Sequence, residues 1–565
     1  MKFNEYPYSR PDLEQTCQEI DAIVAAVAQA KTFPQADDGL AAFEALQKRL
    51  QTMYSVASIR FTLNTADEFY KGEQDYYDET MPLIEERAVR VYKALLACPF
   101  RKEIDKKYGS QFLSQAEIAV KRVSPELIPF MQEENRLRSE YQALASSMSV
   151  EYQGEKCNNY GLLKFMEHPD RDIRQGAFHA WAGWFAENEE KLGALYDRLV
   201  HLRDTMGKAL GYADFTPLGY LNMSRSDYGP EQVKKYREQV VKYIVPVCTE
   251  LHKRQAKRIG VDHLRYYDES FLFPDGNADP IGDRAYLVEA ASKMYHEMSK
   301  ETGEFFDFMI GHELLELDTK PNKAVGGYCT FMPDYDSPFI FSNFNGSAAD
   351  AGVLTHEAGH AFEVYCASRQ QPLIEYCWST SEVNEIHSMS MEYFTYPWMG
   401  LFFGKGEKKN RFTHMSQALE FIPYGCCVDE YQHIVYANPG LTPAQRTAAW
   451  KELEKKYLPD RDYDGVDVME RGGFWMQKLH IFLNPFYYID YTLASMGAFE
   501  FFGRMQENRQ QAWADYCKLC RAGGSLPYLE LLKLANLSNP FEEGTVQKAI
   551  APLVKELMET DDTLL

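Results

Sequence analysis

The strongest constraint on this chain is the run His356-Glu357-Ala358-Gly359-His360, set inside Gly352-Val353-Leu354-Thr355 and Ala361-Phe362-Glu363-Val364-Tyr365. In a helix, residues four apart lie one above the other, so both imidazoles project from one face and can share one Zn²⁺. Glu357 then stands beside the metal without ligating it. The pattern H-E-x-x-H implies two zinc ligands and a carboxylate that takes the proton of a metal-bound water. Leu354, Ala361, Val364 and Tyr365 supply the apolar positions of a buried helix, and no proline interrupts it.

A catalytic zinc site keeps three protein ligands and one open position, so a further ligand belongs on a neighbouring element. The run from Ser381 to Phe394 has helical spacing and offers Glu382, Glu385, His387 and Glu392. Glu382 and Glu385 share a face, and Glu392 falls nearly on it seven residues later. Spacing leaves all four open.

The segments His356 to Phe362 and Asn384 to Glu392 resemble the zinc-ligand segments of the thimet oligopeptidase and oligoendopeptidase F family, closest to its Pz-peptidase-like bacterial branch. In that family the third ligand is a Glu separated by 24 residues from the second His, and Glu385 stands at that distance from His360. The resemblance therefore implies His356, His360 and Glu385 as metal ligands and Glu357 as the catalytic carboxylate. The shorter spacings of thermolysin-like proteases and one-zinc aminopeptidases land near Ser379 or Thr380, which are not carboxylates.

A second stretch, His480 to Tyr491, carries Tyr487, Tyr488 and Tyr491 around Pro485, with the tyrosines expected on one side of a helix that begins near the proline. Phenols and an imidazole can stabilise the oxyanion formed when a peptide carbonyl is attacked. An aromatic stripe at helical spacing also suits plain core packing. The oligoendopeptidase family has a His followed by several Tyr here that contact the substrate carbonyl. By that resemblance His480, Tyr488 and Tyr491 are the catalytic matches, and Tyr487 is the weaker one.

Upstream, Asp12 to Ala30, Gly39 to Asn64, Glu79 to Cys98 and Ser114 to Met148 have helical periodicity, and Val150 to Leu163 has that of a short hairpin. Lys323 to Phe331 and Ser337 to Gly346 are expected to be two strands before the motif helix, with the backbone near Phe341 to Asn345 positioning an extended peptide. Cys517-Lys518-Leu519-Cys520 has the spacing of a redox or metal pair, but there is no second pair, and its neighbours suit a plain helix face.

With 83 acidic and 60 basic residues, the formal charge of −23 repels phosphate backbones, which argues against nucleic acid as a partner. No stretch has the roughly 18 apolar residues of a membrane span, and the N-terminus lacks an apolar leader; a cytoplasmic location is expected. Eleven scattered cysteines are expected to be reduced thiols.

The resemblance implies a mostly α-helical fold, with two helical lobes enclosing a deep substrate channel and a small β-sheet beside a gluzincin-type zinc helix. Residues 1–195 are expected to form an N-terminal helical lobe and residues 196–565 the catalytic domain. The expected activity is zinc-dependent hydrolysis of internal bonds in short unfolded peptides, with one Zn²⁺ per chain. Two alternatives stand beside it: release of residues from a free C-terminus, for which Lys323 or Arg471 would bind the carboxylate, and a noncatalytic peptide binder.

Overall fold

Apolar residues at intervals of three and four make most of this chain helical, and a computed structural model describing residues 1–565 has 23 α-helices and five short strands. Helices Leu13–Ala28, Phe33–Leu63, Glu68–Ala97, Arg101–Tyr108 and Ser110–Arg122 bury a small core of their own around Ile20, Phe43, Leu95 and Phe112. That core extends to Leu373 and Tyr376, from the later half of the chain. Tyr376 Oη donates to Tyr108 O at 2.9 Å and accepts from Phe112 N at 2.8 Å, tying the two halves together.

The one helix expected over Ser114 to Met148 is two, Ser110–Arg122 and Ile128–Ser146. Pro125 forces the break: it has no N–H to donate and pushes Ser124 into extended backbone (φ −140°, ψ 157°). The second piece carries Met131, Glu134, Asn135 and Arg138 along one face, and that face lines a cavity. The hairpin is shorter than expected. Strands β1 (Val150–Tyr152) and β2 (Glu155–Cys157) close through Gln153 and Gly154, both at positive φ, and Asn158 then caps a helix, Asn159–Phe165, by accepting from Gly161 N at 2.9 Å.

The small sheet contains a strand that the periodicity did not reveal. Its order is β3 (Leu315–Asp318), β5 (Ser337–Phe344), β4 (Tyr328–Met332), with β3 parallel and β4 antiparallel to β5. Strand β5 is central, so Phe341 pairs with Glu316 on one side and Tyr328 on the other. This corrects one expectation: the main chain at Phe341 is committed to the sheet and cannot pair with a peptide. The sheet's two edges belong to β3 and β4, each of which has a neighbour on one side alone.

The motif helix Ala348–Ser368 packs on β5 and against helix Ser381–Phe394, which in turn packs along the long helix Tyr488–Ala522. These elements share one apolar core that runs from Phe3 to Leu557. Between the N-terminal helices and the segment 480–491 lies a channel of about 870 Å³, whose walls include Met81, Glu85 and Arg138 on one side and His480, Tyr487 and Tyr491 on the other. No helix is long and apolar enough to cross a membrane.

Candidate active site

The turn into the motif helix is held by Asp350, whose carboxylate accepts from Asn345 N at 3.0 Å and Gly346 N at 2.7 Å. This fastens the end of β5 to the first turn of the helix. Two turns on, His356 and His360 project together, with ring centroids 5.1 Å apart. The helix bearing Glu385 can approach because position 359 is glycine. A Cβ there would lie 2.6 Å from Ser388 Cα and 2.9 Å from His387 O, distances at which the helices would have to separate.

At this crossing Glu385 Oε2 lies 3.5 Å from His356 Nε2 and 3.6 Å from His360 Nε2. One ligand atom from each of the three residues falls within 4.8 Å of the others, and no other such group of metal-binding side chains occurs in the chain. Donors about 2.0–2.2 Å from a tetrahedral ion are separated by roughly 3.3–3.6 Å, so the donor spacing fits one metal. The other carboxylate oxygen, Oε1, accepts from Tyr487 Oη at 2.9 Å, which fixes the plane of the carboxylate.

The electrostatics of the site also favour a cation. Burial works against ionisation of Glu385, yet His360 and His356 hold its carboxyl well below the usual range. Burial likewise opposes charge on the imidazoles, but Glu385 and Glu392 push His356 well up, and Glu385 pushes His360 up. The carboxylates thus favour positive charge at the two imidazoles, a preference that a divalent ion satisfies in place of protons.

Behind His356 runs a relay of polar side chains. Its Nδ1 lies 2.6 Å from Glu392 Oε1; the other Glu392 oxygen is hydrogen-bonded to His414 Nε2, and His414 Nδ1 lies 2.6 Å from Tyr396 Oη. A metal-ligating histidine commonly donates its second N–H to such a carboxylate. Glu392 therefore stands behind His356 and not among the three converging donors. The remaining alternatives on that helix point elsewhere: His387 is fully buried with Nδ1 3.1 Å from Glu363, and Glu382 is buried with neither carboxylate oxygen hydrogen-bonded.

Glu357, His356 and His360 line a pocket of about 420 Å³ with Gly327, Tyr328 and Cys329 at the open edge of β4, and with Tyr487 and Tyr491 opposite. Tyr491 also lines the large channel and an apolar cavity of about 380 Å³, and His480 lies where those two meet. Tyr488 faces the apolar cavity and not the metal pocket. The rings of His480, Tyr487, Tyr488 and Tyr491 have centroids 4.8–5.9 Å apart, so the four form one cluster.

The long helix begins at Tyr488, three residues beyond Pro485, because Phe486 adopts positive φ (65°). Arg225 donates to Phe486 O at 2.6 Å and pairs with Asp490, Gln432 Oε1 accepts from Phe486 N at 2.9 Å, and Arg203 donates to Phe482 O at 2.6 Å. These contacts hold the strained loop that carries the cluster. Burial, then the charge on Lys478, lowers the His480 imidazole to about 4, so it is neutral near pH 7. Burial raises all three phenols well above their ordinary value, with Glu385 adding to the effect at Tyr487 and Tyr491. Every member of the cluster keeps a proton to donate.

Several sequence candidates are occupied elsewhere. Lys323 is sealed in the protein, donating to Asp318 O at 2.7 Å and to Ser342 O at 2.5 Å. Arg471 pairs with Glu189 and Asp467, each at 2.8 Å. Cys517 and Cys520 are buried free thiols whose pKa values burial drives up. Sequence reasoning missed His414, Tyr396, Arg203 and Arg225, and nothing in local spacing marks them.

Residues 286–550 match Peptidase family M3, and residues 3–123 match the Peptidase M3 N-terminal domain. Among solved structures, PZ peptidase A in complex with an inhibitor is 46% identical, with 100% of both chains covered and a TM-score of 0.96. Oligopeptidase PepF of Bacillus subtilis is 20% identical over 559 residues, covering 92% of this chain and 80% of that protein. An oligoendopeptidase F homolog of Borreliella burgdorferi is 20% identical over 425 residues, covering 71% and 68%.

Proposed function

This chain belongs to peptidase family M3 and is a metallopeptidase; on that premise we propose that it is a zinc endopeptidase that cuts internal bonds of short unfolded peptides. The observation that carries this reading is the convergence of His356 Nε2, His360 Nε2 and Glu385 Oε2 beside Glu357 in one pocket. Two imidazoles and a carboxylate suit zinc better than magnesium or calcium. Bound zinc supplies a Lewis acid that polarises a carbonyl and acidifies a water.

The protein's own groups do the rest. Glu357 accepts the proton of the attacking water and returns it to the leaving amine. Tyr491, at the junction of pocket, channel and cavity, donates toward the oxyanion as it develops, while His480 and Tyr488, the other two residues expected to do so, pack against its ring outside the metal pocket. Tyr487 orients Glu385. The open edge of β4 at Tyr328 and Cys329 offers main-chain groups to an extended peptide, which binds without selecting sequence. A channel of about 870 Å³ beside the pocket suits a short unfolded chain and excludes a folded domain.

A short fluorogenic peptide acetylated and amidated at its ends tests the reading. The zinc-loaded protein should cleave it internally, and Glu357→Gln should retain one zinc per chain while losing at least about 10²-fold in kcat. An intact blocked peptide, with only free-ended peptides shortened from one terminus, would overturn internal cleavage.

A further inference from the structure

The channel wall carries five acidic or arginine side chains, Asp78, Glu85, Arg122, Glu134 and Arg138. Glu134 accepts from Arg203 at 2.8 Å, and Asp78 accepts from Gln74 at 3.0 Å. Burial pushes the Glu85 carboxyl up, toward its neutral form, against the pull of Arg122. Arg138, like Arg122 on the same wall, has no such partner. It lies one turn beyond Glu134 on helix Ile128–Ser146, lines the channel, and makes no hydrogen bond or ion pair with any protein group. Its surroundings remove it from water enough that desolvation lowers its pKa, with Glu134 the strongest opposing influence.

A guanidinium keeps its charge in a protein, and at Arg138, which is half-buried, its five donors meet no protein acceptor. Its planar fork matches a carboxylate bidentately. The channel it faces adjoins the metal pocket, since Tyr487 and Tyr491 line both. An extended ligand whose bond lies at the metal pocket can therefore place an anionic group on Arg138. We propose that Arg138 anchors a carboxylate of the bound peptide, either the C-terminal one or that of an acidic side chain in the channel.

This inference rests on the peptidase reading and adds a consequence to it. A peptide held by a carboxylate is registered against the pocket, so the bond cut is counted from that group and not chosen by flanking side chains. Arg122 extends the positive lining of the same wall. Lys323 and Arg471, the cations suggested by sequence, cannot serve, because both are engaged elsewhere.

Three N-acetylated peptides of one sequence test the anchor: a free C-terminal acid, the amide, and an amide whose last residue is Glu. For wild type, KM for at least one carboxylate-bearing peptide should be about 10-fold or more below that of the neutral amide, as expected for a charge-assisted bidentate contact. The peptide that gains identifies whether the terminus or a side chain is held. Arg138→Met keeps the apolar stem and should bring the ratio to about one, whereas Arg138→Lys keeps charge without the fork and should leave an intermediate ratio. Ratios are taken within each variant, and thermal unfolding verifies the fold; if Arg138→Met does not fold, Arg138→Lys decides. Equal KM values for all three peptides in wild type, or a full preference retained in the variants, would overturn the anchor without touching the endopeptidase reading. Cleavage of the free acid alone would do the reverse, supporting the anchor and overturning internal cleavage.

Discussion

Glu392→Gln isolates the charge behind His356 from its shape. In wild type the carboxylate bridges His356 Nδ1, at 2.6 Å, and His414, and its side chain is only 19% exposed. Glutamine keeps the length and one carbonyl acceptor, so the His356 contact survives as a neutral bond. A hydrogen bond to a charged group contributes about 1.5–3 kcal/mol and a neutral one about 0.5–1.5, so the change should cost about 1–1.5 kcal/mol of ligand orientation and basicity. That corresponds to roughly tenfold weaker zinc binding, the lower end of the 10–100-fold range for outer-shell changes. Glu392→Ala removes the acceptor as well and should approach the upper end. Competition of the apo protein with a chromophoric chelator for zinc measures both values, with thermal unfolding of the apo forms as the control for fold. Zinc affinities within twofold of wild type in both variants, at unchanged apo stability, would refute the reasoning.

Other expectations are as direct. Glu385→Ala should lose zinc by elemental analysis, and a variant that retains one zinc per chain would place the third ligand elsewhere. Removing the phenol that lines the metal pocket, in Tyr491→Phe, should lower kcat by about 10² or more with KM changed much less, whereas Tyr488→Phe should change kcat far less, and wild-type kcat in Tyr491→Phe would reduce the cluster to packing. Tyr487→Phe should act differently, weakening zinc binding through the lost bond to Glu385; unaltered zinc affinity would sink that role. At the contact between the halves, burial and the neighbouring Glu375 push the Glu44 carboxyl up from 4.5 to about 9, against the bond from Ile374 N. The folded state therefore holds this proton more tightly than the unfolded chain, so its contribution is full below about pH 4.5 and is lost as pH rises through about 9. Glu44→Gln should remove that loss, and a Tm difference from wild type that stays constant between pH 5 and 9 would contradict it.

What the amino-acid order determines by itself is whatever depends on one helix turn or one strand. His356, Glu357 and His360 are placed relative to one another by the helical repeat, whatever else the chain does. The helices around Leu13–Ala28 and Phe33–Leu63, and strands β4 and β5, are legible for the same reason. The break near Pro125 was also written in the sequence, as a residue that cannot donate, but the apolar periodicity on both sides masked it.

Tertiary structure alone decided which groups meet across elements. Glu382, Glu385, His387 and Glu392 ride on one helix, and local spacing cannot say which of them faces the imidazoles. The contact of Gly359 with Ser388 sets the depth at which the two helices cross, and at that depth it is Glu385 whose carboxylate reaches the imidazoles while Glu392 reaches the back of His356. In the same way Phe486 at positive φ starts the long helix late, turning Tyr487 to Glu385 and Tyr488 to the apolar cavity. Strands β3 and β4 close both sides of β5, and of the two edges this leaves, that of β4 borders the metal pocket. Arg138 has no local signature at all. Its lack of a partner exists only once the N-terminal helices fold against the segment 480–491, because desolvation and missing counter-charges are properties of an assembled cavity and not of neighbours along the chain.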